Sequence, residues 1–274
     1  MDERDLVRSH YARPDLSGAV FAALAARGVD VAHLSAHDLY PVDQLHAGFA
    51  AATEYAVRRL GLRPGDSLLD VGCGIGGPSR LAATITPARV TGVDLSSDFV
   101  GAARRLTERV GLAGRVTHDV AAGAALPFED HLFDAAMMIH VGMNIADKRA
   151  VFAEVHRVLT PGSRFVIFEQ MRVGPGELSY PMPWADDERS SFVESPQSYT
   201  SYLIEVGFSV DDTEDRTAAT LDPPAVGPDD LSPRVIFGPD FTERIANNLA
   251  ASRAGVLGAV LLLASAGQRD HRES

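Results

Sequence analysis

Cysteine is nearly absent from these 274 residues: Cys73 stands alone, so no intrachain disulfide can form and no thiolate cluster can hold a metal. Lysine is as scarce, with Lys148 the single example and arginine supplying the other cations. Acidic residues outnumber basic ones, 37 to 25, for a net charge of −12. That balance offers nucleic acid no electrostatic footprint and argues against DNA or RNA as a partner. Long apolar runs are also lacking: the late run from Val256 to Ala264 is too short to span a bilayer. Met1-Asp2-Glu3-Arg4-Asp5 is charged and has no apolar signal core. The expectation is a cytoplasmic protein without stable membrane insertion. No compact His/Asp ligand pattern stands out, so no metal is expected.

What the chain does have is a dense glycine turn. In Leu68-Leu69-Asp70-Val71-Gly72-Cys73-Gly74-Ile75-Gly76-Gly77-Pro78-Ser79-Arg80 a short apolar strand runs out at Asp70, and glycines follow at 72, 74 and 76. Pro78 falls in the first turn of a helix, where no N–H is required. Such a strand, turn and helix let backbone approach a ligand over the strand's carboxyl end and offer it unpaired N–H donors. A dinucleotide site places its third glycine three residues after the second, with a pyrophosphate on the helix start. Alternating glycines behind an acid suit a cofactor with a free amine and a sulfonium cation better than a diphosphate. A carboxylate at Asp94, 22 residues after Gly72, has the spacing and the paired oxygens to accept both hydroxyls of a ribose.

The glycine string resembles motif I of the class I S-adenosylmethionine (SAM) methyltransferases. Its Gly-Cys-Gly-Ile-Gly-Gly-Pro-Ser-Arg ending is similar to the subgroup of sarcosine/dimethylglycine, tocopherol and sterol methyltransferases. The resemblance implies SAM as cofactor, held by Asp70, Gly72, Gly74, Gly76 and Asp94, with Leu95 against the adenine. It also implies an adenine contact from the acid ending the third strand, here Asp119 beside Val120, ahead of Leu126-Pro127-Phe128. In related enzymes a segment like Pro41-Val42-Asp43-Gln44-Leu45-His46-Ala47-Gly48 covers the methionine end, which brings Gln44 and His46 to the site. A string like Tyr180-Pro181-Met182-Pro183-Trp184 follows their fifth strand.

His140 closes the fourth strand, bordering the crevice where such sheets bind ligands. It is the expected general base, acting near its ordinary pKa of about 6–7, with His46 a second candidate. Its place in the crevice is weighed against the commoner role of a satisfied core histidine. Tyr40, Asn144, Tyr180 and Trp184 are expected to meet the substrate.

The expected architecture is a Rossmann-like seven-stranded α/β sheet with its last strand antiparallel and a mostly helical cap. Residues 1–60 form the cap, 61–216 and 256–267 the core, and 217–255 a lid insertion. Helices are expected at Val20–Arg27, Gly48–Leu60, Asp147–Leu159, Ser198–Val206 and Phe241–Arg253, with Leu39–Gly48 a linker. Strands are expected at Arg89–Ser96, Arg115–Val120, Phe133–Val141, Arg164–Met171, Phe208–Asp212 and Val256–Ala264. The function implied is methyl transfer to N, O or C of a small molecule, releasing S-adenosylhomocysteine. Two alternatives stay open at this point: a methyltransferase fold that binds SAM structurally or catalyses a cyclisation, and an NAD(P)-dependent oxidoreductase, which the glycine spacing disfavours.

Overall fold

A computed structural model describes residues 15–222 and 230–267; the expected Pro-rich stretch at 223–228 lies outside them. Near-continuous apolar runs along the central strands, buried on both faces, build one seven-stranded sheet with two dry faces. The strands are β1 (Ser67–Val71), β2 (Arg89–Asp94), β3 (Val116–Val120), β4 (Phe133–Ile139), β5 (Leu159–Arg172), β6 (Phe208–Asp215) and β7 (Leu257–Ala266). Their spatial order is β3-β2-β1-β4-β5-β7-β6. β1 pairs in parallel with both β2 and β4, while β7 runs antiparallel to β5 and β6. The order reverses at β1, so the crevice beyond the carboxyl ends of β1, β2 and β4 is the ligand position this topology favours.

Nine α-helices are found among the described residues: α1 (Leu16–Ala26), α2 (Ala36–Asp43), α3 (Phe49–Leu60), α4 (Gly77–Ile85), α5 (Ser97–Arg109), α6 (Lys148–Val158), α7 (Pro196–Glu205), the short α8 (Arg234–Phe237) and α9 (Phe241–Arg253). Leu68, Met137 and Val166 face α3 and α4, in one core with Val57 and Ala82. Their neighbours Leu69, Met138 and Ile167 face the other way, against Val151 and Phe152 of α6 and Leu203 of α7. A third cluster joins Val20 of α1, Leu39 of α2 and Ile236 of α8 to Ile75 and Phe99 beside the glycine turn. That cluster caps the crevice.

Segment 39–48, expected as a linker, is half helix. The Ser35 N–H donates to the Asp38 carboxylate at 2.8 Å, capping α2 at its start. Pro41 inside α2 removes an N–H and the helix stops two residues later. β4 ends at Ile139 and not Val141, because His140 turns into the left-handed region at φ 54°. β5 begins at Leu159, straight after α6, and β6 runs on to Asp215, each longer than expected.

Candidate active site

Beyond the β1 carboxyl end the chain folds back so tightly that Gly72, at φ 76°, leaves no room for a Cβ: one would sit 2.3 Å from Val141 Cγ2. The N–H groups of Gly72 and Cys73 both donate to the Val93 carbonyl, at 2.8 and 2.9 Å. This draws the β1 and β2 turns together at the rim of a cavity of about 510 Å³. Asp94 is held there by two backbone donors, Gly74 N–H on Oδ2 and Ser96 N–H on Oδ1, each at 2.9 Å. Each oxygen keeps lone-pair capacity for a further donor. Burial raises the Asp94 pKa against the opposing pull of those hydrogen bonds.

Gly72, Gly74, Asp94 and Leu95 line the cavity, and so do His46, His140, Asn144 and Trp184. The remaining expected residues stand elsewhere. Asp70 points to the α4 face of the sheet, where Ser79 Oγ donates to it, and burial lifts its pKa to about 7. Strand alternation puts it behind the turn and not in it. Gly76 closes against Arg80 and His118. Asp119 pairs with Arg104 at 3.0 Å with half its side chain exposed, and Val120 is 50% exposed. Neither reaches the cavity; the wall there is Ala121 to Ala124, just after the strand. The run of small residues before Leu126-Pro127-Phe128 was the available signal for that close approach.

Gln44 is fully buried behind His46 and donates to Asp43 Oδ1. Tyr40 lies against His37 on the far side of α2, while Asp43 of the same helix lines the cavity. Tyr180 packs with Trp184 without lining the cavity. Trp184 is buried, its indole N–H donating to Ser191 Oγ at 3.0 Å.

The two histidines differ. His46 Nδ1 faces the Ala47 carbonyl at 3.1 Å, which only accepts, so this nitrogen carries the hydrogen; Nε2 is left to accept from Thr53 at 2.8 Å. With both nitrogens engaged and burial lowering its pKa to about 4, His46 stands as a neutral ring in the cavity wall. His140 Nε2 is buried without a partner. Burial, and secondarily His46 at a ring distance of 5.6 Å, push the His140 pKa well below 6.5. The imidazole is therefore neutral at working pH. This corrects the expected titration near 6–7.

Glu169 was not foreseen. It lies in β5, fully buried, and its Oε1 accepts the N–H groups of Val141 and Gly142 at 2.9 and 2.8 Å. Burial raises its pKa to about 8. It thus fixes the turn immediately after His140. Buried acid inside an otherwise apolar strand, Phe165 to Met171, was its only sequence signal. Asn248 and Arg234, on α9 and α8, also line the cavity; nothing local in their sequence distinguishes them. Among the described residues no group of His, Cys, Asp and Glu could hold a metal.

Residues 69–167 match the sequence model of a family described as "Methyltransferase domain". The curated relatives include the sterol 24-C-methyltransferase ERG6B of Gibberella zeae, 36% identical over 42% of this chain and 30% of that protein. They also include the methyltransferase phqN of Penicillium fellutanum, 31% identical over 53% and 44%. The chain spans less than half the length of either. Among solved structures, a geranyl diphosphate methyltransferase in complex with SAM superposes with TM-score 0.65 at 25% identity, covering 79% of this chain and 84% of that one. The [4+2]-cyclase SpnF superposes with TM-score 0.67 at 21% identity, over 91% and 93%. The matched residues run from Leu69 in β1 to Ile167 in β5 and include the glycine turn, Asp94 and His140.

Proposed function

We propose that this chain transfers the methyl group of SAM to a small molecule, releasing S-adenosylhomocysteine. The observation that carries the reading is Asp94, fixed by two backbone N–H donors at the cavity rim beside a glycine turn that no side chain could occupy. Its paired oxygens suit a vicinal diol, and the small residues 121–124 suit the flat face of an adenine. Arg234 is the single arginine or lysine among the described lining residues, so a dinucleotide's pyrophosphate would lack countercharge. When bound, SAM supplies an electrophilic methyl on sulfur. The protein's part is alignment and exclusion of water, with neutral His140 accepting a proton from a protonated nucleophile.

Of the expected cap and lid, residues 1–14 and 223–229 lie outside the described residues; 15–60 serve as a cap and 217–222 with 230–255 as a lid, in line with Asp43, Arg234 and Asn248 lining the cavity. No helix of the described residues is long and apolar enough to cross a membrane. We read the chain as cytoplasmic and without a nucleic-acid partner, on its single buried cysteine and its acidity.

Calorimetry with SAM and with NADH tests the cofactor. SAM should bind and NADH should not, and Asp94→Ala should weaken SAM by about 2–4 kcal/mol, the range for losing charge-assisted hydrogen bonds. Unchanged SAM affinity in the variant removes Asp94 from the site. Product formation without S-adenosylhomocysteine would instead favour a cyclisation.

A further inference from the structure

Away from the glycine turn the cavity is walled by Phe49, Trp184, Phe237, Phe241, Ile245 and Leu249. These come from four separate segments, so the apolar lining is a property of the assembled pocket and not of one helix face. Its charges are few and mostly negative: Asp43, Asp94 and Asp147 against Arg234. Asp43 is already neutralised by Arg80 at 2.8 Å, both side chains fully buried, and Arg234 already has a partner of its own. A phosphate, diphosphate or carboxylate group entering here would meet no cluster of donors and no metal site among the described residues. Burying such an anion without countercharge is strongly unfavourable.

Three described lining residues carry a buried polar atom without a partner, the Ser232 hydroxyl among them. Asn248 is 6% exposed and its Oδ1 has no hydrogen bond, and the buried Nε2 of His140 has none either. Buried polar atoms are nearly always paired, so an orphan in a ligand cavity marks where a ligand's group belongs. The amide oxygen accepts only, whereas the imidazole nitrogen and the Ser232 hydroxyl can each donate or accept. Asn248 therefore asks for a donor on the ligand. α9, which carries Asn248, is itself anchored: Asn247 Nδ2 donates to the Pro181 carbonyl at 3.0 Å and Arg244 to that of Met182 at 2.8 Å. Asn248 is thereby held on the same wall as Trp184.

We propose that the acceptor molecule is neutral, largely apolar and hydroxylated, with its donor seated on Asn248, and that Asn248 is a specificity-determining residue. This rests on the methyl-transfer reading. Trp184 is the protein's single tryptophan and lines the cavity, so its emission reports occupancy directly.

The test titrates protein saturated with S-adenosylhomocysteine, its saturation first verified by calorimetry, with geraniol, geranyl methyl ether and geranyl diphosphate, the last with and without Mg²⁺. Geraniol should bind at least tenfold more tightly than the diphosphate, and about five- to tenfold more tightly than the ether, which lacks the donor. Asn248→Leu should bring geraniol to the affinity of the ether while leaving the ether's own affinity and that of S-adenosylhomocysteine unchanged. Equal or tighter binding of the diphosphate overturns the proposal, as does equal binding of alcohol and ether in the wild type. Failure of S-adenosylhomocysteine to bind at all is a separate result: it overturns the methyl-transfer reading and this inference with it.

Discussion

His140 shows how much a single position gains from its surroundings. Its ring lies between His46 and Phe168, its N–H donates to the Phe168 carbonyl at 2.8 Å, and the next two N–H groups are held by Glu169. A residue at φ 54° is held against its intrinsic preference, and strain of this kind persists only where neighbours over-determine it. If His140 is the base, His140→Ala should lower the methylation rate by roughly 10²–10⁴-fold while leaving SAM affinity unchanged by calorimetry. Because burial holds the ring neutral, the wild-type rate should stay flat as pH falls through 6.5 and drop only well below it. An acid limb centred at 6.5 would show a solvated ring. Glu169→Leu leaves two N–H groups without an acceptor and should cost about 1–3 kcal/mol for each that stays buried and unsatisfied. Glu169→Gln, with the shape of the protonated acid, should retain most of that in thermal melts.

At the scale of elements, α1, α2 and α8 share one apolar cluster with the residues flanking the glycine turn. Cap and lid therefore lean on the same surface that a cofactor would order. SAM should slow hydrogen exchange and proteolysis in α1, α2, α8 and α9 more than in β4 or β5. Equal protection with and without SAM would reduce these helices to static packing. The buried Arg80–Asp43 pair ties the end of α2 to α4. Removing one partner leaves an uncompensated buried charge, the costly half of such a pair, so the cap's seat depends on both.

For the whole molecule, the consequence of burial is a sensitivity to acid. His118 is 2% exposed, with Nδ1 unpartnered and Nε2 3.0 Å from Thr107 Oγ1. Burial first, then Arg80 and Arg104, lower its pKa to about 3. A depressed histidine contributes stability that is complete above the unfolded pKa of about 6.5 and is lost as pH falls toward 3, on the order of 1.4 kcal/mol per pH unit. Asp70 and Glu169 act oppositely, since their raised pKa values favour the fold at low pH and cease to as pH rises through about 7 and about 8. The informative measurement is thus a difference: the melting temperature of His118→Gln should fall less steeply than that of wild type between pH 6.5 and 4. Parallel slopes would show that His118 is protonated in the fold.

What the sequence determined by itself was whatever is encoded by neighbours along the chain. Strand alternation, the turn from Asp70 to Pro78, the offset to Asp94 and the place of His140 at a strand end are all local patterns, and they carried the sheet, its topology and half of the candidate site. Side-chain direction was decided only by packing. Asp119 and Asp70 each stand one residue before a strand end, yet one faces solvent beside Arg104 and the other faces α4. Tyr40 and Asp43 share one helix, and the rotation of α2 against the third apolar cluster turned Asp43 inward instead. Asn248 reaches the cavity from α9, 108 residues beyond His140, and Glu169 holds the turn after His140 from β5, 29 residues beyond it. No pattern along the chain links them, because what brings them together is the burial of apolar surface that belongs to other residues.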